Sequence, residues 1–188
     1  CTVAEYGKQD GFECLDWKSS SENTRAFLKI QDGCNAFCSY CIIPYARGNV
    51  RSMPLDEVER QSKILVSEGH REIVLTGINL CMYGIDLGCK LIDAVNAVRK
   101  SGVERIRLGS LEPDLIDDTL LDALADISEF CPQFHISAQS GSDSVLKRMN
   151  RRYTVDEYIT VVKKIHDKFD NPAVTTDIIV GFEGETEH

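Results

Sequence analysis

Apolar positions in this chain fall into short blocks separated by longer stretches in which they recur every three or four residues. The short blocks are AFLKIQ (26–31), EIVLT (72–76), RIRLG (105–109), QFHISA (133–138) and AVTTDIIVG (173–181). Their length and their β-branched and aromatic content predict strands. Between them lie stretches with helical periodicity. PLDEVERQSKILVSEG (54–69) places Pro54 at a first helical position, Asp56 and Glu57 in the first turn, and Gly69 at the stop. KLIDAVNAVRKSG (90–102) ends at Gly102. EPDLIDDTLLDALADISEF (112–130) aligns Ile116, Leu120, Leu124 and Ile127 on one helical face. SDSVLKRM (142–149) reads as a short helix. TVDEYITVVKKIHDKF (154–169) opens on the T-x-x-E capping box of Thr154 and Glu157, with an apolar stripe of Val155, Tyr158, Ile159, Val162 and Ile165.

Strands therefore begin near residues 27, 72, 104, 133 and 174, each gap holding a helix and matching one βα unit. Strict alternation predicts an α/β fold with a parallel sheet and helices outside it. The pattern leaves a barrel and an open doubly wound sheet both standing, although five strands are too few to close the usual eight-stranded barrel. In either case the loops that follow the strands gather at one end of the sheet, where ligands bind. Those loops read QDGCNAFCSYC, TGIN, GSLEP, AQSGS and GFEGET. Residues 1–25 lack periodicity, and their polar DWKSSSENTR segment reads as an arm or linker.

Composition narrows the picture. At 188 residues the chain is long enough for one domain with a real core. No apolar run reaches bilayer length. The start, CTVAEYGKQDG, has neither a basic n-region nor an apolar h-region, so a cytoplasmic setting is expected. The net charge of −9 disfavours attraction of nucleic acid by the overall field. An RNA contact would need a local basic patch or another domain. Eight cysteines are many, and three of them, Cys34, Cys38 and Cys41, stand in a C-x3-C-x2-C cluster on the first loop. In a reducing compartment that clustering favours metal or redox chemistry over disulfides. Cys131 is expected to be a buried apolar residue.

Three thiolates leave a metal site one ligand short. A structural zinc would need a fourth Cys or His, and no paired C-x2-C or H-x3–5-H follows; Cys81 or Cys89 could donate one thiolate but are not so arranged. A [4Fe–4S] cubane with three protein ligands keeps one iron open, which a reactive site requires. Asn35, Ser39 and loop N–H groups are candidates to hydrogen-bond the sulfurs and tune the potential.

The motif C-x3-C-x-Tyr40-C on the first loop of a βα array resembles the radical S-adenosylmethionine (SAM) superfamily. The blocks KIQDGCNAFCSYCIIPYARG, RIRLGSLEP, QSGSDSVLKRMNRRYT and DIIVGFEGET resemble its methylthiotransferase family, from about Arg25 onward. RAFLKIQDGC and CIIPYARG are most similar to the branch acting on threonylcarbamoyladenosine at position 37 of tRNA. The resemblance implies a partial TIM-like barrel of parallel (βα) units, with residues 26–188 as the core domain, truncated after about the fifth strand. It implies a [4Fe–4S] cluster on Cys34, Cys38 and Cys41, with SAM chelating the open iron and reductive cleavage of its sulfonium giving methionine and a 5′-deoxyadenosyl radical.

By the same resemblance, Tyr40 lies near the adenine and Gly77 and Asn79 near the methionine end. Ser110 and Glu112 sit on the third loop; Gln139 and Ser140 come from the fourth, with Gln139 pointing into the mouth and Ser142 capping the next helix. Arg152 is a partner for the SAM carboxylate. Gly181 and Phe182 lie in an adenine-binding turn, in which Glu183 stands where the family usually has proline. Arg47 and Arg51 are candidates for RNA phosphates or the cluster's charge. His135 stands where the family has a histidine and reads as a satisfied core residue. The implied partners are tRNA and an electron donor such as flavodoxin or ferredoxin. The family's N-terminal domain, with a second [4Fe–4S] cluster as sulfur donor, and its C-terminal RNA-binding domain have no counterpart here. The expectation is a core fragment that does not complete methylthiolation alone. Related activities are a dimethylallyl-type (i6A37) tRNA substrate or a ribosomal-protein aspartate; outside the family, the rival is a zinc-stabilised binding module.

Overall fold

The computed structural model describes residues 11–14 and 24–186. The expected arm, 1–25, lies largely outside the described residues, although Phe12 packs against the core and Arg25 begins the first strand.

The five expected strands form, the last one shortened from 173–181 to three residues, with only an isolated bridge at Ile178 beyond them. Strand β1 (Arg25–Lys29) continues past Ile30 into the short β2 (Gln31–Asp32), which pairs antiparallel with β3 (Arg51–Ser52). Strand β4 (Glu72–Thr76) lies parallel between β1 and β5 (Arg105–Leu108). A second parallel ladder orders β6 (Ser110–Leu111), β7 (Gln133–Ile136) and β8 (Ala173–Thr175). The bridge between Ile106 and Phe130 joins the two ladders, so the strands run side by side in sequence order. Buried Ile73, Leu75, Ile106, Leu108, Phe134 and Ile136 form the sheet's share of one core, and helices cover it. Among the described residues no helix is long and apolar enough to cross a membrane.

Helix α1 (Ile43–Arg47) leaves the cysteine loop. Helix α2 (Leu55–Ser67) starts one residue later than expected, because Pro54 takes the cap position; Gly69 then turns the chain at φ +95°. Helix α3 (Leu91–Arg99) and α5 (Asp143–Arg148) match expectation. Helix α6 (Val155–Lys168) carries the Thr154–Glu157 capping box, with the Glu157 N–H donating to the Thr154 hydroxyl and the Thr154 N–H donating to the Glu157 carboxylate.

Two helical expectations need correction. The stretch 112–130 is not one helix. Pro113–Leu115 makes a 3-10 turn, Ile116 adopts an extended conformation, and Asp117 caps a shorter α4 (Asp118–Ala125) by accepting the Leu120 N–H at 2.8 Å. The break rotates the face, so Leu121 and Leu124 are fully buried and Leu120 only half. On α6 the apolar stripe is shallow: Ile165 alone is fully buried, and Ile159 faces solvent.

Strand N-termini meet at the opposite end from the loops. There Glu72, nearly buried, pairs with Arg25, with Arg105 at 3.0 Å and with Arg107 at 3.2 Å. The register aligns Arg25, Glu72 and Arg105 across three strands, so the acid neutralises cations that parallel pairing forces together.

Candidate metal and cofactor site

The cysteine loop is a closed Ω held at its base. The β2–β3 pair clasps its ends, and the Cys34 N–H donates to the Gly48 carbonyl at 3.1 Å. Gly33, at φ +72°, lies so close to Asn49 that a Cβ would meet its carbonyl oxygen at 1.9 Å. Only glycine fits there. The Asp32 carboxylate accepts the Gly33 N–H and pairs with Lys29, Arg47 and Arg51, the two arginines each at 3.6 Å. Arg47 and Arg51 therefore serve the base of the loop.

The far side of the loop rests on the turn between α5 and α6. The Ser39 N–H donates to the Met149 carbonyl at 3.0 Å and its hydroxyl to the Arg148 carbonyl at 2.8 Å. The Asn150 side chain donates to the Phe37 carbonyl at 2.8 Å. Both Phe37 (φ +53°) and Asn150 (φ +57°) are left-handed. Arg152 donates to the Asn35 carbonyl at 3.4 Å. So Asn35 and Ser39, expected to bind sulfur, instead fasten the loop to its seat.

Three other groups donate to the sulfurs. The Ala36 N–H and the Asn79 amide approach Cys34 Sγ at 3.4 and 3.9 Å, and Arg151 Nη1 approaches Cys38 Sγ at 3.4 Å. Burial pushes the Cys34 thiol up, with those two donors acting against it. Cys38, Asn79, Glu112, Arg151 and Arg152 line one narrow cavity of about 20 Å³. That is room for one or two waters.

Loops from the other strands meet there. Gln31 is fully buried: its amide donates to the carbonyls of Asp32 and Gly33, and its oxygen accepts the Asn79 N–H at 2.8 Å. Gly77 passes so close that a Cβ would meet the Gln31 oxygen at 2.8 Å, so this glycine answers to Gln31. Asn79 is buried, and its Oδ1 has no hydrogen-bond partner. A buried acceptor without a partner is costly unless a ligand supplies a donor. Glu112 pairs with Arg151. Burial pushes the Glu112 carboxyl up, and Arg151 opposes it.

Tyr40 on the first loop and Phe182 on the last meet edge-on, 6.3 Å between centroids. The last turn is built by Gly181 at φ +73°, by Glu185, whose carboxylate accepts the N–H groups of Gly181 and Phe182, and by Arg148, which donates to the carbonyls of Glu183 and Gly184. Glu183 itself points to solvent.

The other expected residues make contacts of their own. Ser110 is an exposed β6 residue. Gln139, at φ +62°, is bridged to Ile178 through its backbone. The Ser140 hydroxyl accepts the Ser142 N–H at 3.2 Å, and the Ser142 side chain meets Ser144 in place of capping α5. His135 is satisfied by Thr175 and Asp177. Arg151 and Gln31 were invisible to motif reading. Arg151 shares an RR pair with Arg152, and only tertiary placement separates the two.

The donor set, three free thiols on one loop, fits a [4Fe–4S] cluster. Among the described residues no three His, Cys, Asp or Glu side chains converge to cage one metal ion. In a cubane each thiolate takes a different iron, so convergence on one point is not required. Cys81 is buried, which pushes its thiol up to about 12; it faces the Glu112 carbonyl, and with Cys89 it lines a separate cavity of about 190 Å³.

The parallel (βα) array with three cysteines on its first loop defines a class, and the radical SAM superfamily profile matches residues 28–188. The chain belongs to that superfamily. It is 45% identical over 178 residues to tRNA-2-methylthio-N(6)-dimethylallyladenosine synthase of Clostridium botulinum (strain Okra), covering 92% of this chain and 38% of that protein. It is 44% identical over 189 residues to threonylcarbamoyladenosine tRNA methylthiotransferase MtaB of Bacillus subtilis, covering 98% and 42%. The chain thus spans about two-fifths of the length of these relatives. In fold it is similar to the radical SAM methyltransferase TsrM of Kitasatospora setae, with a TM-score of 0.62 at 16% identity over 81% of this chain and 30% of that one. Methylornithine synthase (PylB) also has a TM-score of 0.62, at 15% identity over 84% and 44%.

Proposed function

We propose that this chain is the radical core of a tRNA methylthiotransferase, holding a [4Fe–4S] cluster on Cys34, Cys38 and Cys41 and SAM at the open iron. The observation that carries this reading is three thiols on one clamped loop, two of which, Cys34 and Cys38, are served by N–H donors. When bound, the pair would supply one-electron cleavage of the sulfonium and so an oxidant strong enough to take hydrogen from an unactivated carbon.

The chain's own residues bind and orient. Asn79 Oδ1 offers an acceptor for an ammonium, and Arg152 a cation for a carboxylate. Tyr40 and Phe182 frame a flat ring, with Gly77, Gly181, Ser110, Gln139 and Ser140 shaping the loops around it. The substrate is proposed as threonylcarbamoyladenosine at position 37 of tRNA, modified at C2, from the blocks at 25–34 and 41–48. A dimethylallyl-adenosine substrate is the second reading, supported by the 45% identity to that synthase. A one-electron donor of the flavodoxin or ferredoxin kind and a cytoplasmic setting complete the proposal.

Anaerobic reconstitution tests the centre. About four irons and four sulfides per chain, bleached by dithionite, are expected. A colourless protein holding one zinc would overturn the reading. The full-length protein, given tRNA carrying each adenosine in turn and read by nucleoside mass spectrometry, separates the two substrates.

A further inference from the structure

Arg151 is a charged side chain withdrawn from water, only 4% exposed. A buried cation persists only when it is paired and hydrogen-bonded. Three contacts hold it away from the cysteine loop: the Glu112 carboxylate, the Ser137 carbonyl at 3.2 Å and the Tyr153 hydroxyl oxygen at 3.1 Å. The Tyr153 hydroxyl has one proton, directed at the carbonyls of Ser137 and Ala138 at 2.7 and 2.8 Å, so its lone pairs are left to accept from Arg151. Its ring lies 5.0 Å from the guanidinium carbon. These contacts fix the plane of the guanidinium. The remaining edge donates to Cys38 Sγ at 3.4 Å.

A rigid cation aimed at one of three thiolates has a consequence for electron transfer. Adding an electron makes the sulfur-bound cluster more negative. A fixed N–H donor and positive charge stabilise the reduced form more than the oxidised one. Glu112, paired with the same guanidinium, works against it.

We propose that Arg151 is a positioning residue that sets the electron affinity of the cluster through its bond to Cys38, with Glu112 as its counterweight. The proposal rests on the cluster reading above. The step is the entry of one electron from a low-potential one-electron reductant into the oxidised cluster, with no bond made or broken and no proton moved.

The test is an EPR-monitored dithionite titration of the anaerobically reconstituted chain without SAM. Arg151→Met removes the donor to Cys38 whatever state Glu112 takes. Its reduction equilibrium should fall about threefold, ~28 mV at 59 mV per tenfold for one electron. Glu112→Gln should move it the other way, by about tenfold, ~59 mV. Arg151→Lys, which keeps the charge, should lie between Arg151→Met and wild type. A merely structural role for the pair would shift both variants the same way or neither, and either result overturns the proposal. Should Arg151→Met fail to take four irons, Glu112→Gln decides alone: an unmoved or lowered potential overturns the proposal. A wild-type chain that takes up no cluster sinks the functional reading and this inference together; a wild-type cluster with unmoved variants sinks only this inference.

Discussion

The ring of Tyr40, between the second and third cysteines, stands edge-on to that of Phe182, 6.3 Å between centroids and 82° between planes. The two residues are separated by about three-quarters of the chain, yet they bring the first loop and the last to one point. An edge-to-face pair of this kind contributes about 0.5–1.5 kcal/mol beyond its buried area. Tyr40→Ala should therefore weaken SAM binding by roughly 2- to 10-fold while iron content stays at the wild-type level. Equilibrium dialysis against SAM, beside an iron assay, checks both halves.

The thiols separate by role. Cys34→Ala, Cys38→Ala and Cys41→Ala should each abolish the visible absorbance of the reconstituted chain. Cys81→Ala combined with Cys89→Ala should keep it, because those two thiols line a different cavity from Cys38 and Cys81 faces the Glu112 carbonyl. Loss of the cluster in that double variant would show a fourth protein ligand.

Gly77→Ala should destabilise the fold by about 1–3 kcal/mol, the usual range for overpacking, since the added Cβ would meet the Gln31 side chain at 2.8–2.9 Å. Gly69→Ala, with nothing within 4 Å of the added Cβ but φ at +95°, isolates backbone strain from collision. Chemical denaturation of both variants separates the two costs.

Glu72 makes stability depend on pH. Burial alone would raise its carboxyl, but Arg105, Arg25 and Arg107 together outweigh burial and hold it below the usual carboxylate value. A lowered folded value means that the contribution is complete above the unfolded value, about 4.3, and is lost as pH falls through the folded one. Glu72→Gln should cost about 2 kcal/mol at pH 7, as expected for hydrogen bonds to a charged group. The gap to wild type should narrow on acidification below pH 4, read from thermal midpoints across the range.

Asn150 is left-handed at φ +57°, and its amide holds the Phe37 carbonyl. Asn150→Gly keeps the backbone and loses only the clasp; Asn150→Ala loses the clasp and adds strain of roughly 1–2 kcal/mol. Hydrogen exchange of the Ser39 N–H, which donates to the neighbouring Met149 carbonyl, should quicken in both variants, and thermal stability should fall further in Asn150→Ala.

Five strands and the cysteine loop were legible in the chain because period and turn chemistry are local signals; the order of the strands was not, because pattern alone left a barrel and an open sheet both standing. Pro113 and Asp117 show where local reading failed. The apolar face through Ile116 and Leu124 looks continuous, yet a proline turn and a side-chain cap within it restart the helix at a new angle. The α6 stripe misled for a related reason. Spacing shows which residues share a face, but the depth of burial depends on what packs over it, and only Ile165 is fully covered. The short α1 and the β2–β3 clasp were too brief to leave a period.

The sequence by itself determined the chemistry available: three soft sulfur ligands at fixed spacing, a parallel βα scaffold, and loops able to meet at one mouth. Tertiary structure alone decided which groups face those sulfurs. Arg151 and Arg152 are indistinguishable as letters, but adjacent residues point in different directions. One turns inward to Glu112 and Cys38, the other outward to the Asn35 carbonyl. A buried guanidinium needs partners supplied by the segments after β6 and β7 and by the cysteine loop at once, and that meeting exists only after the chain has folded.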